Sequence, residues 1–322
     1  MSAGGRTAVT VVIPTCGDAV SVERAIASIL ATGYEPLEVI VVENAPPAPS
    51  TRNVVARSFA GAPVRYLEEP RKGASRARNA GLALAHGDLV AFTDDDVVVD
   101  TGWLRNAVTA FELSDAVACV TGRIQALALN TKPQLLFEQF AAFDKGPERR
   151  IWRLPESREA EPLFPYIPGH IGSGANVIIR REIAHRVGGF DIQLGPGTPT
   201  LGGEDLDLFV RLVQAGYVIV YDPSVLVRHD HPDRLDMRRH AYRYGVGLTA
   251  MLGKQLVHGP TRRQLIRAIP GGIRYVLDPD SRKNVQKPSD FPRSLEWLER
   301  LGMLLGPGAY LASLGLSAVR AH

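Results

Sequence analysis

Short apolar runs alternate with helical patterns through the first half of the chain. Runs rich in β-branched residues at 7–13 and 37–42, and the run Leu89–Thr93, predict buried strands. Segments 20–31 and 75–85 place their apolar residues near helical spacing and predict helices. Strands that alternate with helices indicate a largely parallel sheet covered by helices on both faces. Such sheets bind ligands beyond the carboxyl ends of their strands, so we expect functional side chains there.

The second half of the chain has a less regular pattern. Residues 130–170 contain many prolines and predict one helix at 134–143, followed by a loop long enough to be functional or mobile. From about residue 233 the pattern is helical and basic. The stretch 301–319 is uncharged and just long enough to cross a bilayer, but its glycines break the predicted helix. We expect this stretch to lie in a membrane interface or to dock on the protein.

Composition places the chain among ordinary globular proteins. Its 322 residues are 45% hydrophobic and 22% charged, which fits one large domain or a domain with a substantial appendage. The two cysteines, Cys16 and Cys119, are too few for a disulfide scaffold and fit a reducing cytoplasm. No apolar signal segment precedes the first predicted strand.

Charge is distributed unevenly along the chain. Residues 228–322 carry 16 lysines and arginines against 8 acidic residues, a net charge of +8, whereas residues 1–227 have a net charge of −5. The basic segment therefore predicts an anionic partner. Because its cations are interleaved with apolar stretches, we favour a membrane surface over nucleic acid. The expected location is the cytoplasm, with peripheral contact to the inner face of the cell membrane.

Three consecutive aspartates, Asp94, Asp95 and Asp96, follow the apolar run Leu89–Thr93. Carboxylates this close repel one another unless a cation lies between them. A divalent ion held by carboxylates, water and phosphate oxygens would remove the repulsion. The alternative is a solvated acidic turn, but the position after a buried strand favours a metal–diphosphate site.

The segment 71–79 places four cations and Asn79 around the start of a predicted helix. Backbone N–H groups at a helix start attract anions, and arginine adds bidentate contacts to phosphate. Taken alone, the segment is also compatible with an ordinary capped helix that has a basic face. Near an acidic triplet, it predicts a diphosphate held between cations and a metal ion.

Two further stretches supply candidate chemistry. Glu204 and Asp205 open a predicted helix after two glycines, where acids either stabilise the helix dipole or supply a general base near the crevice. His229 and His231 alternate on an extended segment, and we expect one of them to reach the metal ion. Three nucleotide and hydrolase motifs are absent: Gly-x-Gly-x-x-Gly after the first strand, the P-loop, and Gly-x-Ser-x-Gly.

Taken together, the motifs resemble glycosyltransferase family 2. The matching elements occur in the family's order over residues 8–231, and they are Val11–Thr15, Val41–Asn44, Lys72–Asn79, Phe92–Asp96, Gly174–Asn176, Gly203–Leu208 and His229. The resemblance implies a GT-A fold: a mostly parallel, twisted α/β sheet flanked by helices, with a helical C-terminal extension. It places a Rossmann-like nucleotide-sugar half at about 1–125, an acceptor half at about 126–232, and a basic helical region at 233–322.

The resemblance also implies a function. The family consists of inverting transferases that move a sugar from a nucleotide-diphosphate sugar to an acceptor hydroxyl, usually with Mg²⁺ or Mn²⁺. We expect a UDP-sugar as donor, and a role in cell-envelope, polysaccharide or glycoconjugate synthesis. Glu43 departs from the aspartate that the family often has there, which leaves the identity of the base open.

The roles of the individual site residues are assigned through the family resemblance. It assigns Asp205 as the general base, with Glu204 beside it, and Asp96 and His229 as metal ligands, with His231 as an alternative. The residues it assigns to the nucleotide sugar are Pro14, Thr15, Glu43, Asn44, Arg71, Gly73, Arg76, Asn79, Asp94, Asp95, Gly174 and Asn176.

Two other functions stay open. A metal-dependent nucleotidyltransferase would also use an α/β sheet with acidic ligands, but it usually needs a Gly-rich, Lys- or Arg-bearing loop after the first strand. The loop here is Pro-Thr-Cys-Gly-Asp. The third hypothesis is a nucleotide-binding protein with a degenerate site, against which the intact acidic and histidine residues argue.

Overall fold

A computed structural model of the chain describes residues 6–45, 50–231, 236–281, 283–285, 287–288 and 290–320. The domain boundary expected near residues 232–233 lies outside these residues. In the described part, nine strands form one sheet. They are β1 (Val9–Thr15), β2 (Leu37–Asn44), β3 (Val64–Glu69), β4 (Leu89–Thr93), β5 (Val97–Val99), β6 (Val117–Ala126), β7 (Arg150–Trp152), β8 (Asn176–Arg180) and β9 (Val218–His229).

The α-helices of the described part occupy both the sheet faces and the C-terminal region. They are α1 (Ala19–Leu30), α2 (Ser50–Ser58), α3 (Ala74–Leu84), α4 (Trp103–Phe111), α5 (Lys132–Ala141), α6 (Glu156–Ala160), α7 (Arg181–Arg186), α8 (Glu204–Gln214), α9 (Met237–His258), α10 (Arg262–Leu277) and α11 (Arg293–Arg320). The helical C-terminal extension expected from the sequence is therefore present.

The strand order is β3-β2-β1-β4-β8-β6-β9-β5, and β7 also pairs with β9. β1 to β4 are parallel to their neighbours within that group, and β6 is parallel to β9. The parallel sheet predicted from alternating strands and helices is thus confirmed for these strands, whereas the short strands β5 and β7 are antiparallel to β9. β8 is antiparallel to both β4 and β6. It follows an irregular segment and not a helical crossover, so the connection does not require a parallel pairing.

Helices cover both faces of the sheet, as the buried strand patterns predict. Strand residues alternate between the faces, so Val11 packs with α1 and α4 while its neighbour Val12 packs with α3 and α8. The helices present apolar stripes to these faces, such as Val22, Ile26 and Ile29 of α1. Two buried layers therefore hold the strand ends at fixed positions.

The segment 130–170 is more ordered than the sequence predicts. Its helix, α5, begins at Lys132 behind a capping box made by Thr131 and Gln134. The expectation of a long loop after it is wrong, because β7, α6 and a 3-10 helix at Pro168–His170 follow. Hydrophobic periodicity missed them because each has five residues or fewer.

The C-terminal glycines allow close helix packing. The prediction that they break the helix is wrong, because α11 runs uninterrupted from Arg293 to Arg320. A Cβ atom on Gly302 would overlap the Tyr242 carbonyl oxygen of α9, and one on Gly306 would lie 2.5 Å from the Val246 carbonyl oxygen. α11 therefore docks on α9 through its glycines. Within the described residues, none of the helices combines the length and apolar character that a membrane span needs.

We predict that Gly302→Ala lowers the free energy of unfolding by about 1–3 kcal/mol, because the added methyl group must push the two helix backbones apart. Gly315→Ala is the matched control. Gly315 lies in the same helix, is exposed, and has open space around its Cβ position. The control should raise stability by up to about 1 kcal/mol through helix propensity. Urea unfolding measures both changes, and equal effects would contradict the proposed close contact.

Candidate active site

The sheet topology brings distant stretches to one edge. β4 ends at Thr93, which pairs with Asn176 at the start of the antiparallel strand β8. β9 ends at His229, which pairs with Val97 just beyond the aspartate triplet. The Asp230 N–H donates to the Asp96 carbonyl oxygen at 2.8 Å. The ends of β4 and β9 therefore meet, as the sequence predicts for functional side chains.

The three aspartates have different environments. Asp94 accepts a hydrogen bond from the Arg78 guanidinium at 2.8 Å. Asp95 accepts one from the Thr15 hydroxyl at 2.6 Å. The Asp96 Oδ1 atom lies 3.4 Å from His229 Nε2. Because each carboxylate has a different neighbour, the triplet acts as three distinct groups and not as one solvated acidic turn.

Asp94, Asp96 and His229 form a group that could hold a metal ion, with one ligand atom from each residue and all three atoms within 4.8 Å of one another. Asp96 Oδ1 is buried without a hydrogen-bond partner, as expected of an atom that coordinates a cation. Burial and then the charge of Asp94 raise the pKa of Asp96 to about 7. A bound cation would remove this unfavourable burial of charge, so the residues fit a divalent ion.

His231 lies behind His229, which stands between it and the two carboxylates. The Nδ1 atoms of the two rings lie 3.1 Å apart, and His231 Nε2 lies 2.8 Å from Glu138 Oε2. The structure thus brings His229, and not the alternative ligand His231, to the carboxylates. If His231 donates from Nε2 to Glu138, its Nδ1 accepts the His229 Nδ1–H. That leaves the lone pair of His229 Nε2 facing Asp96, in the orientation that a metal ligand needs.

Arg78 is the site residue that the sequence analysis missed. Its side chain is buried and bridges two carboxylates, Asp94 at 2.8 Å and Glu204 at 2.8 Å. Burial alone would lower its pKa, but the charges of these carboxylates raise it above the ordinary value. The signal for Arg78 is its helical spacing. Arg78 lies three residues after the buried Ser75 and so shares its face of α3, whereas Arg76 lies on another side.

Glu204 and Asp205 have unequal positions at the start of α8. Glu204 is buried against Arg78, and burial together with the charge of Asp205 raises its pKa to about 7. Asp205 is half-buried; it accepts hydrogen bonds from the N–H groups of Gly174 and Leu206, both at 2.8 Å. Arg78 therefore connects the aspartate group to the acids of α8.

The residues expected at the nucleoside lie at the ends of β1 and β2. Pro14 and Thr15 pair with Val42 and Glu43 in the sheet. Glu43 is buried; it accepts hydrogen bonds from the Tyr66 hydroxyl and the Thr51 N–H.

Asn44 holds the turn between β3 and α3. Its amide donates to the carbonyl oxygens of Glu69 and Arg71 and accepts from the Gly73 N–H. Arg71 itself is exposed and paired with Glu69. Asn44 therefore positions the turn from which the basic segment starts.

Two predicted nucleotide-sugar residues also use their amides within the scaffold. Asn79 makes two hydrogen bonds to the backbone of Phe190. Asn176 donates to the Arg123 and Val225 carbonyl oxygens and accepts from the indole of Trp103. Their direct contact with a ligand stays a prediction, and it would require these bonds to open.

Arg76 lies apart from Arg78, on another side of α3. Together with Lys72 it lines a cavity of about 160 Å³, whose other walls include Thr198, Ser313 and Ser317. The structure therefore leaves Arg76 at a basic cavity near α11, and its predicted contact with the phosphates stays a prediction.

Comparison with known proteins defines the class of this fold. A solved mannosyltransferase, PcManGT from Pyrobaculum calidifontis in complex with GDP-Man and Mn²⁺, superposes with a TM-score of 0.57 at 21% identity. The match covers 98% of this chain and 81% of that protein. The fold is therefore that of GT-A glycosyltransferases. Residues 10–188 match the profile of Glycosyl transferase family 2, and the chain belongs to this family.

Curated relatives agree with this assignment. The pre-mycofactocin glycosyltransferase of Mycobacterium tuberculosis is 35% identical over 231 residues, which make up 70% of this chain and 43% of that protein. The succinoglycan biosynthesis protein ExoM of Rhizobium meliloti is 30% identical over 200 residues, 61% of this chain and 58% of that protein. The chain thus spans less than half of the mycobacterial relative and just over half of the rhizobial one.

The raised pKa of Asp96 predicts a pH-dependent affinity for metal ions. Below about pH 7 the folded carboxyl carries a proton that must leave before Mn²⁺ binds. We expect the dissociation constant for Mn²⁺ to rise about tenfold per pH unit below pH 7 and to level off above it. Isothermal titration calorimetry between pH 5.5 and 8.5 measures this change, and a flat profile would contradict the proposed ligand.

The same shift predicts how stability without metal varies with pH. The Asp96 pKa lies above its ordinary value of 3.8, so the unfolded chain ionises first as pH rises. The contribution of Asp96 to the free energy of unfolding should therefore fall between about pH 4 and pH 7 without metal, and saturating Mn²⁺ should reduce this loss. Melting temperatures with and without Mn²⁺ test the sign of the effect.

His231 should control metal affinity through His229. We expect His231→Leu to weaken Mn²⁺ binding by about 10- to 100-fold, because the His229 Nδ1–H loses its acceptor. His240→Leu is the matched control, since His240 also packs on the Phe137 ring but makes no described hydrogen bond to His229. Equal losses in the two variants would indicate a general packing effect.

Proposed function

We propose that the chain transfers a sugar from a nucleotide-diphosphate sugar to an acceptor hydroxyl, with inversion at the anomeric carbon. One observation carries the proposal: buried Arg78 joins Asp94 of the metal-binding group to Glu204, next to Asp205. A candidate base and a candidate diphosphate site therefore share one edge of the sheet. Membership of glycosyltransferase family 2 supports this function.

Asp94, Asp96 and His229 would hold the divalent ion. When bound, the ion would neutralise the charge that develops on the departing diphosphate. The expected ions are Mg²⁺ and Mn²⁺, and the imidazole ligand favours Mn²⁺, because Mg²⁺ prefers oxygen ligands. The Mn²⁺ in the similar mannosyltransferase complex supports the same choice.

Asp205 is the proposed general base. The N–H groups of Gly174 and Leu206 hold its carboxylate in one orientation, and the side chain stays partly exposed. It would take the proton of the acceptor hydroxyl as that oxygen attacks the anomeric carbon from the face opposite the diphosphate. Glu204 is buried against Arg78, so its proposed part is to hold that arginine and not to accept the proton.

The nucleoside is the least constrained part of the donor. A UDP-sugar is our hypothesis from the family resemblance. Glu43 does not strengthen it, because its buried carboxylate already accepts hydrogen bonds from Tyr66 and Thr51. The similar mannosyltransferase was solved with GDP-Man. A panel of UDP- and GDP-sugars, scored by Mn²⁺-dependent thermal stabilisation, separates these donors.

Nucleotidyl transfer is the second candidate function. Against it, the loop after β1 lacks lysine and arginine, and the Thr15 hydroxyl is bound to Asp95. Release of pyrophosphate would indicate nucleotidyl transfer, whereas release of a nucleoside diphosphate would indicate sugar transfer. Donor binding without turnover across a broad acceptor panel would favour a non-catalytic nucleotide-binding protein.

For the acceptor and the cellular location, we propose a general class only. We favour a hydroxyl-bearing acceptor in cell-envelope, polysaccharide or glycoconjugate synthesis, in line with the succinoglycan protein among the relatives. A location at the inner face of the cell membrane would involve a different surface of the protein, on the C-terminal helices.

We predict that Asp205→Asn lowers turnover by about 10²- to 10⁴-fold, the usual worth of a general base, while donor affinity stays within about twofold. The amide oxygen can keep only one of the two backbone hydrogen bonds that the carboxylate accepts, and the amide cannot take a proton at neutral pH. Turnover is measured as nucleoside diphosphate release, and donor affinity by calorimetry. Asp115→Asn, an exposed aspartate, is the control. Turnover near wild type in Asp205→Asn would remove Asp205 from this role.

A further inference from the structure

Helix α10 has an outer face that the proposed sugar transfer does not use. Its inner side is anchored: Leu265 is buried, the Tyr275 hydroxyl lies 2.9 Å from His170 Nε2, and Gln264 accepts from Arg158 at 2.8 Å. The helix is therefore held firmly against the segment 158–170. The outward face of α10 is therefore a surface with a fixed position on the protein.

The outward face carries a stripe of aliphatic side chains. Ile266, Ile269, Ile273 and Leu277 follow one another at spacings of three and four residues, which places them on one side of the helix. Each is between 41% and 57% exposed. Single exposed apolar residues are common on protein surfaces, but an aligned stripe of four is typical of an interaction site.

Arginines accompany the stripe. Arg262, Arg263, Arg267 and Arg274 are all exposed, and the helix contains no acidic residue. Among the residues that the structure describes, none of these four pairs with a carboxylate. The face thus combines aliphatic side chains with uncompensated positive charge.

We propose that this face of α10 binds the surface of an anionic lipid bilayer. The isoleucine and leucine side chains would enter the boundary between head groups and acyl chains, and the arginines would contact the anionic head groups. The helix would lie in the plane of the surface, so the proposal needs no membrane span.

Two other partners fit this surface less well. A second copy of the chain, related by a two-fold axis, would bring four unpaired arginines against four others. Single-stranded nucleic acid is usually held by aromatic stacking beside the cations, but the exposed apolar residues of the stripe are aliphatic. An anionic bilayer uses both the charge and the aliphatic stripe.

The test is vesicle flotation of the full chain. We expect binding to phosphatidylcholine vesicles that contain phosphatidylglycerol, weaker binding at high salt, and little binding to pure phosphatidylcholine. Arg267→Gln/Arg274→Gln should weaken partition by roughly 30-fold, since each cation near an anionic surface is worth about fivefold. Ile269→Gln/Ile273→Gln should also weaken it, although this variant keeps every charge.

Matched controls change the same residue types on other faces. Arg57→Gln/Arg186→Gln removes two exposed cations, and Val20→Gln/Leu113→Gln removes two exposed apolar side chains. Both controls should bind vesicles like the wild type. Melting temperature and Mn²⁺ affinity of every variant check that the fold and the candidate active site are intact.

Absence of vesicle binding would overturn the proposal, as would equal losses in the α10 variants and the controls. Salt-independent binding to neutral vesicles would overturn the role of the arginines. Oligonucleotide binding that is lost only in the arginine variant, without any vesicle binding, would assign the surface to nucleic acid instead. Because flotation measures no sugar transfer, its result is independent of the proposed reaction.

Discussion

The candidate site depends on one buried cation. Arg78 lies inside the protein, where a charge is tolerated only if it is paired, and it is paired twice, with Asp94 and Glu204. Its two branches join the end of β4 to the start of α8, which are far apart in the sequence. The acids of α8 and the aspartates therefore cannot move independently. For the proposed sugar transfer, such a rigid connection would hold the base and the leaving group in alignment.

Around this arginine, the sheet topology decides which side chains meet. The reversed strand β8 places Asn176 beside Thr93, and the long strand β9 delivers His229 to Asp96. Behind the candidate metal-binding group, His231 and Glu138 hold His229 in place, so α5 also contributes to the candidate site. The segment 130–170 thus supports the site through short elements that have no clear pattern in the sequence.

The C-terminal helices illustrate two uses of apolar surface. In α11, glycines allow close contact with α9, so the uncharged stretch near the chain end docks on the protein. In α10, the apolar stripe remains outside and is bordered by arginines. Composition alone does not separate the two helices, because both have a net positive charge and contain aliphatic residues and glycines. Only the packing of the two helices distinguishes α11, which docks on α9, from α10, whose outer face is exposed.

The sequence by itself determined the sheet class, most element positions and part of the set of side chains that meet at the candidate site. Strand β4 begins and ends where its apolar run predicts, and Asp96 and His229 were expected together. Those results follow from local patterns and from motif order. The tertiary structure alone decided that Arg78, and not Arg76, bridges the carboxylates, that His229 faces them while His231 stands behind, and that α11 is continuous. Each of these depends on contacts between residues that lie far apart in the sequence, and local periodicity carries no information about such contacts.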